Sequence, residues 1–453
     1  ILDNLKFTST GPDEVPVWFF RLAAPFISKS LAHVYSLSVN TGIVPTQWKS
    51  AIITPVAKVS NPEGEVDFRP ISVTSVLSRK LEQVIVNESI YPLMSDPPVG
   101  LDFSDQYAFR PSGSVTAALI AIIDSITEIL RQGSSAVLIS VDFSKAFDRV
   151  RHKTLLDKID LLGTDVVIYN WIRSYLENRE HSTKFKGERS DMMAINSSVV
   201  QGSCLGPAAF SVAASDLAPV NRERTRMHKF ADDVNLTMNI DNYGDIRCEI
   251  ENIESWALDN NLSLNKKKTK EMIFSTTKKL KTTTWPATED GIDRVTQMRI
   301  LGVIMKDNLS MKIHVDTLLS ECTNKLYAIN LLKHHGLSIH GLQEVFRSKI
   351  ISKLIFASPA WWGLTSMEDR DRINSFLRRA KKLQFYPKDG RTFEELCEHA
   401  DQRLFKKVAC NSNHVLHKFL ILKKQNNYEL RNTRGHSFTL PVLDNRNFFN
   451  RVL

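Results

Sequence analysis

Phe230-Ala231-Asp232-Asp233 puts two acids side by side between apolar, β-prone flanks, with Met227 before them and Val234 and Leu236 after. Side chains alternate across a strand, so neighbouring acids on an extended strand cannot both face solvent; at the tip of a tight hairpin both can address one cation. Asp is also a common turn residue, and alone such a pair reads more often as a solvated turn. A further acid answers it. The run Ala136-Val137-Leu138-Ile139-Ser140-Val141 is apolar almost throughout and stops at Asp142, the pattern of a buried strand with a carboxylate at its C-terminal end. The plain reading of Asp142 is a cap on the turn that follows, Phe143-Ser144-Lys145-Ala146-Phe147-Asp148, before a helix expected from Asp148 to Ile159 with Asp148 as its N-cap. The chemical reading is that Asp142, Asp232 and Asp233 meet across neighbouring strands of one sheet. Three carboxylates with triphosphate oxygens hold two Mg²⁺ about 3.5–4 Å apart, the arrangement for in-line nucleotidyl transfer.

The elements that must position these acids follow from periodicity and punctuation. Val15 to Ser38 has helical periodicity and a stop signal at Gly42. Ala51 to Val56 reads as a strand closed by Lys58, and a polar loop then runs to Asp67-Phe68-Arg69-Pro70. Helices are expected over Thr74–Met94 and Ser114–Leu130, with a loop at Asp96–Gly100 between them and Gly133 breaking the chain before the Asp142 strand. Further helices are expected near Lys153–Leu162 and Val166–Leu176, then a hairpin of His181–Phe185 with Met192–Val200. Gln201-Gly202-Ser203 opens a helix over Leu205–Leu217; the acid-bearing hairpin and a helix from Tyr243 to Asn260 come next. Met272–Phe274 and Met298–Met305 read as short strands, everything from Lys312 onward as helical, and the stretch after Tyr428 as polar and irregular.

At 453 residues the chain exceeds a single core, so two or three subdomains are expected. Lys and Arg number 59 against 50 Asp and Glu, and the resulting charge of +9 favours a polyanionic partner. No apolar run approaches the ~18–20 residues needed to span a bilayer, Val115–Ile123 being the most membrane-like stretch. The first residue is Ile, and the chain reads as a fragment of a longer polyprotein or an incomplete gene model. Its five cysteines are scattered, as in a reducing compartment. Among them, Cys397 and Cys410 stand with His399 and His414 in an arrangement that could bind zinc, but C-x-H is poor spacing for a structural site, and buried thiols on amphipathic helices fit better.

In this order the chain resembles the reverse transcriptase of non-LTR (LINE-type) retrotransposons. The motifs are Gly42-Ile43-Val44-Pro45 with Trp48-Lys49, Phe68-Arg69-Pro70-Ile71-Ser72, Gln106-Tyr107-Ala108-Phe109-Arg110, Asp142-Phe143 through Phe147-Asp148, Gln201-Gly202-Ser203 with Gly206-Pro207, Phe230–Asp233, Lys268-Thr269 and Leu301-Gly302-Val303. They are collinear from Gly11-Pro12-Asp13 to about Val303, and their joint order is far more specific than any one of them. The resemblance implies an α+β right-hand polymerase of fingers, palm and thumb, the palm's antiparallel sheet carrying the acids. The corresponding division is residues 1–135 as N-terminal extension and fingers, 136–306 as palm with an inserted fingers segment around 164–200, 307–427 as helical thumb and connection, and 428–453 as an irregular tail.

By that resemblance Asp142, Asp232 and Asp233 hold Mg²⁺, with Mn²⁺ as a substitute, and the Phe143 carbonyl adds a ligand. Phe147 takes the place of an aromatic gate against the ribose 2′-OH; a core phenylalanine is the alternative. Lys58, Arg69 and Arg110 map to contacts with the incoming nucleotide and template, where ordinary solvated charges are the alternative. Gln201 and Gly202 map to close approach at the nucleotide and template base, or to an ordinary helix-start turn. Lys268 maps to a general acid near the pyrophosphate, or to one more charge in the Asn265–Lys270 basic run. Leu301, Gly302 and Val303 map to the primer grip. The implied partners are an RNA template, a DNA primer or target and dNTPs, without a membrane, as a ribonucleoprotein of nucleus and cytoplasm; the oligomeric state stays open. Val200, Glu14 and Val115 depart from residues usual in the family. Two rivals follow: a related right-hand polymerase of group II intron or RNA-virus type, and a decayed or co-opted protein that binds nucleic acid without polymerising.

Overall fold

A computed structural model describes residues 2–195, 197–420, 438 and 446–453. The fold is α+β, and the chain forms two compact units. One is assembled from Ile1–Arg110, Phe143–Ala218 and Ile250–Leu264, the other from Pro111–Asp142, Pro219–Glu249 and Asn265–Leu453.

The second unit is built on a five-stranded sheet. Its central strand, Ala136–Val141, lies antiparallel to Asp233–Asn239 on one side and to Lys270–Phe274 on the other. Thr225–Phe230 and the short Asp293–Arg294 close the two edges. Ala136 to Ile139 are at most 1% exposed, as expected of a strand covered on both faces. The helix Val115–Arg131 begins at Ser114, whose hydroxyl accepts from the Ala117 N–H, and packs against three strands of this sheet. His228 ties helix to sheet: its Nε2 lies 3.2 Å from both the Ser125 and Thr237 hydroxyls, and burial pushes its pKa down to about 3, leaving a neutral ring.

The expected strand at Met298–Met305 is instead a hairpin, Gln297–Ile300 with Val303–Lys306. The turn is Leu301-Gly302, with φ of 46° and 89°. Positive φ at both turn positions matches the twist of the paired strands. Helices Lys312–His334, Ile339–Phe346, Met367–Lys382 and Phe393–Ala409 follow, as the periodicity predicts. Ser366 and Thr392 form capping boxes with Asp369 and Glu395 at the starts of the last two. Most of the stretch expected to be an irregular tail lies outside the described residues, but Phe448–Val452 is a helix with Phe448 and Phe449 buried. Arg451 anchors it, donating from Nε to Asp401 at 3.0 Å beside the Trp362 indole N–H at 2.8 Å from the same carboxylate.

The first unit carries the helix Val17–Thr41, ended by Gly42 in the left-handed region at φ 65°. Its sheet pairs Ser50–Ala57 antiparallel with Phe68–Val73 and parallel with Arg179–Phe185. Phe68-Arg69-Pro70, expected at the end of a loop, therefore lie in a strand. Of the stretch Met192–Val200, Met193–Ile195 pair with Arg179–His181. The helix expected from Asp148 is broken. Lys145 takes φ 51°, Ala146–Arg149 make one turn, and Val150 and Arg151 extend with ψ of 122° and 129° before the helix His152–Leu161. Asp148 sits inside the short turn and caps nothing; its carboxylate accepts from the Gln201 amide at 2.7 Å.

No helix among the described residues is long and apolar enough to cross a membrane. Arg451 and Asp401 are 7% and 5% exposed at their side chains, so removing one partner strands a buried charge. Arg451→Met is expected to cost about 3–5 kcal/mol in urea denaturation, a loss that a surface pair of about 0–1 kcal/mol cannot mimic.

Candidate active site

The acid-bearing hairpin has the tight form its chemistry asks for. Thr225–Phe230 pairs with Asp233–Asn239 down to Phe230 opposite Asp233, which leaves Ala231-Asp232 as a two-residue turn with Ala231 at φ 58°. On the other side, Val141 pairs with Val234, so the next position in the register sets Asp142 at the level of Asp233. Sheet pairing thus brings all three acids to one end of the sheet.

Their electrostatics agree. The Asp233 residue is exposed, yet its carboxyl is pushed up to about 6, first by partial loss of solvent and then by the charges of Asp232 and Asp142. Asp142 is raised by burial and drawn back by Lys268. Among the described residues no group of three or more His, Cys, Asp or Glu side chains closes into a ready-made metal cage. Mg²⁺ does not require one: it keeps several waters and binds through one or two carboxylates plus substrate phosphates. Hard oxygen donors whose charges oppose one another suit a divalent cation.

Asp142 is held from both backbone groups. Its carbonyl accepts from the Asn265 N–H at 2.8 Å and its N–H points to the Thr269 hydroxyl at 3.4 Å. The Asn265 carbonyl in turn accepts from the Lys268 and Thr269 N–H groups, a tight loop that carries the exposed Lys268. Asn265 and buried Thr269 were not marked as positioning residues by sequence reasoning; the Lys268-Thr269 motif was the available signal. Leu301 and Gly302 form the hairpin turn described above, and Val303 is fully buried beneath it. A Cβ on Gly302 would come within 3.2 Å of the Phe356 ring. Beside this turn lies a cleft of about 560 Å³ lined by Arg299, Lys325, Lys349, Lys353, Ser348 and Phe356 among others.

The remaining expected residues belong to the first unit. Phe143 is buried with its ring edge-on to Trp256, and its backbone bridges Leu264. The flanking bonds, Ser144 N–H to Ser263 O and Asn265 N–H to Asp142 O, do not use the Phe143 carbonyl. Phe147 is half-buried, stacked on Phe210 at 4.4 Å with Phe109 edge-on at 6.2 Å. Gln201 accepts at its carbonyl from the Ser72 N–H at 2.7 Å. Gly202 has φ 119°, and a Cβ there would meet the Ser72 carbonyl oxygen at 2.3 Å, so glycine is required sterically as well as conformationally. Arg69 is exposed on its strand. Lys58 reaches the Val66 carbonyl at 2.9 Å and lowers the pKa of Asp148, which burial raises. Arg110 turns inward to the Phe103 carbonyl, and burial holds its pKa below the ordinary arginine range.

Residues 58–305 match the family described as reverse transcriptase (RNA-dependent DNA polymerase). The chain is 25% identical over 371 residues to the probable RNA-directed DNA polymerase from transposon BS of Drosophila melanogaster, covering 78% of this chain and 40% of that protein. It is 24% identical over 390 residues to the RNA-directed DNA polymerase from mobile element jockey of the same species, covering 83% and 41%. It is 25% identical over 213 residues to a Pol polyprotein from a type-1 retrotransposable element R2 of Popillia japonica, covering 44% and 29%. The chain therefore spans about two fifths of the length of the first two relatives. A telomerase structure from Candida tropicalis overlaps 86% of this chain and 67% of its own, with a TM-score of 0.42 at 14% identity, too slight a likeness to carry weight.

The raised Asp233 carboxyl has a signed consequence. Unfolded, it titrates near ~3.9; folded, near about 6. Between these values the native state binds the extra proton, so stability falls as pH rises through the window, and the penalty is complete above it. Asp233→Asn is expected to raise the Tm of the protein in EDTA at pH 7 and to flatten the decline between about pH 4 and 6. Identical pH profiles for variant and wild type would show that the Asp233 carboxyl is not raised.

Proposed function

Because the chain belongs to the reverse transcriptase (RNA-dependent DNA polymerase) family, we propose that it is the RNA-directed DNA polymerase domain of a non-LTR retrotransposon. It extends a DNA 3′-end along an RNA template using dNTPs, as a ribonucleoprotein of nucleus and cytoplasm. The observation that carries this reading is the register that aligns Asp142 with Asp233 and leaves Asp232 at the adjoining turn.

Asp142, Asp232 and Asp233 supply the carboxylates for two divalent cations, with the Phe143 carbonyl as a further ligand. Bound there, Mg²⁺ lowers the pKa of the primer 3′-hydroxyl and neutralises charge on the triphosphate. The chain's own share is positioning and electrostatics. Lys268, drawn toward Asp142 by opposite charge, stands ready to protonate the departing pyrophosphate. Arg69 offers a planar fork to phosphate oxygens, whereas Lys58 and Arg110 act from within their own loops. Gln201 orients on Asp148, and Gly202 admits the close backbone approach a nucleotide needs. At the turn of Leu301, Gly302 and Val303, the basic cleft lined by Arg299, Lys325, Lys349 and Lys353 suits the phosphates of a primer–template duplex.

Two measurements test this. Extension of oligo(dT) on poly(rA) is expected to require Mg²⁺ and to fall to background in Asp232→Asn; equal rates for both would sink the mechanism. Phe147, fixed by its stack on Phe210, fits a sugar gate. Phe147→Ala is expected to increase ribonucleotide incorporation relative to deoxynucleotide, and unchanged sugar discrimination would return Phe147 to a packing role.

A further inference from the structure

Glu82 looks from the sequence like a solvated helix residue, one charge in Ser78-Arg79-Lys80-Leu81-Glu82-Gln83. It is fully buried, in the helix Val76–Ile85. One carboxylate oxygen accepts from the backbone N–H groups of Cys204 and Leu205, at 2.9 and 3.2 Å, and the other from the Ser78 hydroxyl at 3.0 Å. Those two N–H groups open the helix Leu205–Ala213, and Cys204 gives it no side-chain cap. The first N–H groups of a helix lack intrahelical partners and favour a negative charge. A carboxylate from a different helix, more than a hundred residues away in sequence, meets both needs.

The same stretch of chain touches this turn a second time. Ser72 donates its N–H to the Gln201 carbonyl, and its own carbonyl oxygen lies against Gly202 so closely that a Cβ would not fit. Arg69 lies on the strand Phe68–Val73, three positions before Ser72. The strand that carries Arg69 is thus fastened by its own backbone to the turn that carries Gln201 and Gly202, and the helix that follows the strand is fastened through Glu82 to the residues just after that turn.

We propose that Glu82 is a positioning residue that, with the backbone of Ser72, clamps the Arg69 strand to the Gln201-Gly202 turn, so that these nucleotide-contacting residues are held as one body. The proposal rests on the polymerase reading above. Its energetic basis is the cost of removing a buried charged acceptor: two helix-start N–H groups and the Ser78 hydroxyl lose their partner. The hydrogen bonds of Glu82 run to Ser78, Cys204 and Leu205 of the same unit, so the expected effect of its loss is on nucleotide binding rather than on the chemical step or on primer binding.

The test uses the full chain with poly(rA)/oligo(dT), titrating dTTP for wild type, Glu82→Gln and Glu82→Ala, alongside hydrogen exchange of peptides covering 200–206. In Glu82→Ala the dTTP KM is expected to rise about tenfold, the loss of a charged hydrogen-bond acceptor, with kcat and primer affinity within about twofold. Glu82→Gln, which keeps an acceptor oxygen and the shape, is expected to show a smaller rise. Exchange at Cys204 and Leu205 is expected to speed up in the same order. Faster exchange with an unchanged KM would overturn the proposal while leaving the polymerase reading intact. A parallel fall in kcat, primer affinity and Tm would overturn it in favour of general destabilisation; should Glu82→Ala fail to fold, Glu82→Gln carries the comparison. No extension by the wild-type chain would overturn the polymerase reading and with it the nucleotide half of the proposal, and exchange would still decide the clamp.

Discussion

Antiparallel pairing of Ala136–Val141 between Asp233–Asn239 and Lys270–Phe274 is the constraint from which the candidate site follows. One strand supplies Asp142, its neighbour supplies Asp233 and the adjoining turn supplies Asp232. The other neighbour is entered through the loop that carries Lys268. None of these residues is near the others in sequence beyond the adjacent acid pair. The hydrogen-bond ladder makes them neighbours, and a slip of one residue along it would carry Asp142 out of line with Asp233.

The acids work against the fold that holds them. Asp233 carries a carboxyl raised to about 6 by lost solvent and by its two acidic neighbours, a standing repulsion in the cation-free protein. Backbone bonds offset it from beneath: Asn265 and Thr269 grip Asp142 on both sides. The first unit shows the same logic with different groups, backbone and a buried carboxylate fixing the turn at Gln201-Gly202. In both places acids or turn residues expected to meet substrate are exposed or half-buried, and a buried side chain, Thr269 in one and Glu82 in the other, lies among the groups that hold them.

Much of this was legible in the sequence, for identifiable reasons. The apolar run ending at Asp142 and the Gly42 stop are local signals, and each became the element expected of it. The failures are also physical. Met298–Met305 read as one strand because Leu301-Gly302 lacks the usual Asn-Gly or Asp-Gly signature, and a leucine at φ 46° is uncommon. The helix from Asp148 was overextended because nothing in the residue types announces Lys145 at positive φ or the extended Val150 and Arg151. Glu82, Asn265 and Arg451 were passed over because their partners lie far along the chain, and a buried charge looks like any surface charge until its partner is known.

The turn between Phe230 and Asp233 bears on how such a gene can change. Two residues close the hairpin, and the strands on either side are paired without a bulge from Thr225 to Met238. Strand side chains repeat every second residue, so one added or lost residue at the turn forces either a bulge or an exchange of faces along a whole strand, putting Val234, Leu236 and Met238 where the buried polar Asn235 and Thr237 now sit. Substitution at Asp232 removes a carboxylate and spares the fold. A single-codon insertion beside it has to be taken up by a bulge or by a shifted strand. The spacing of the motif is therefore set by the sheet, whereas the identity of its acids is set by the chemistry at the turn.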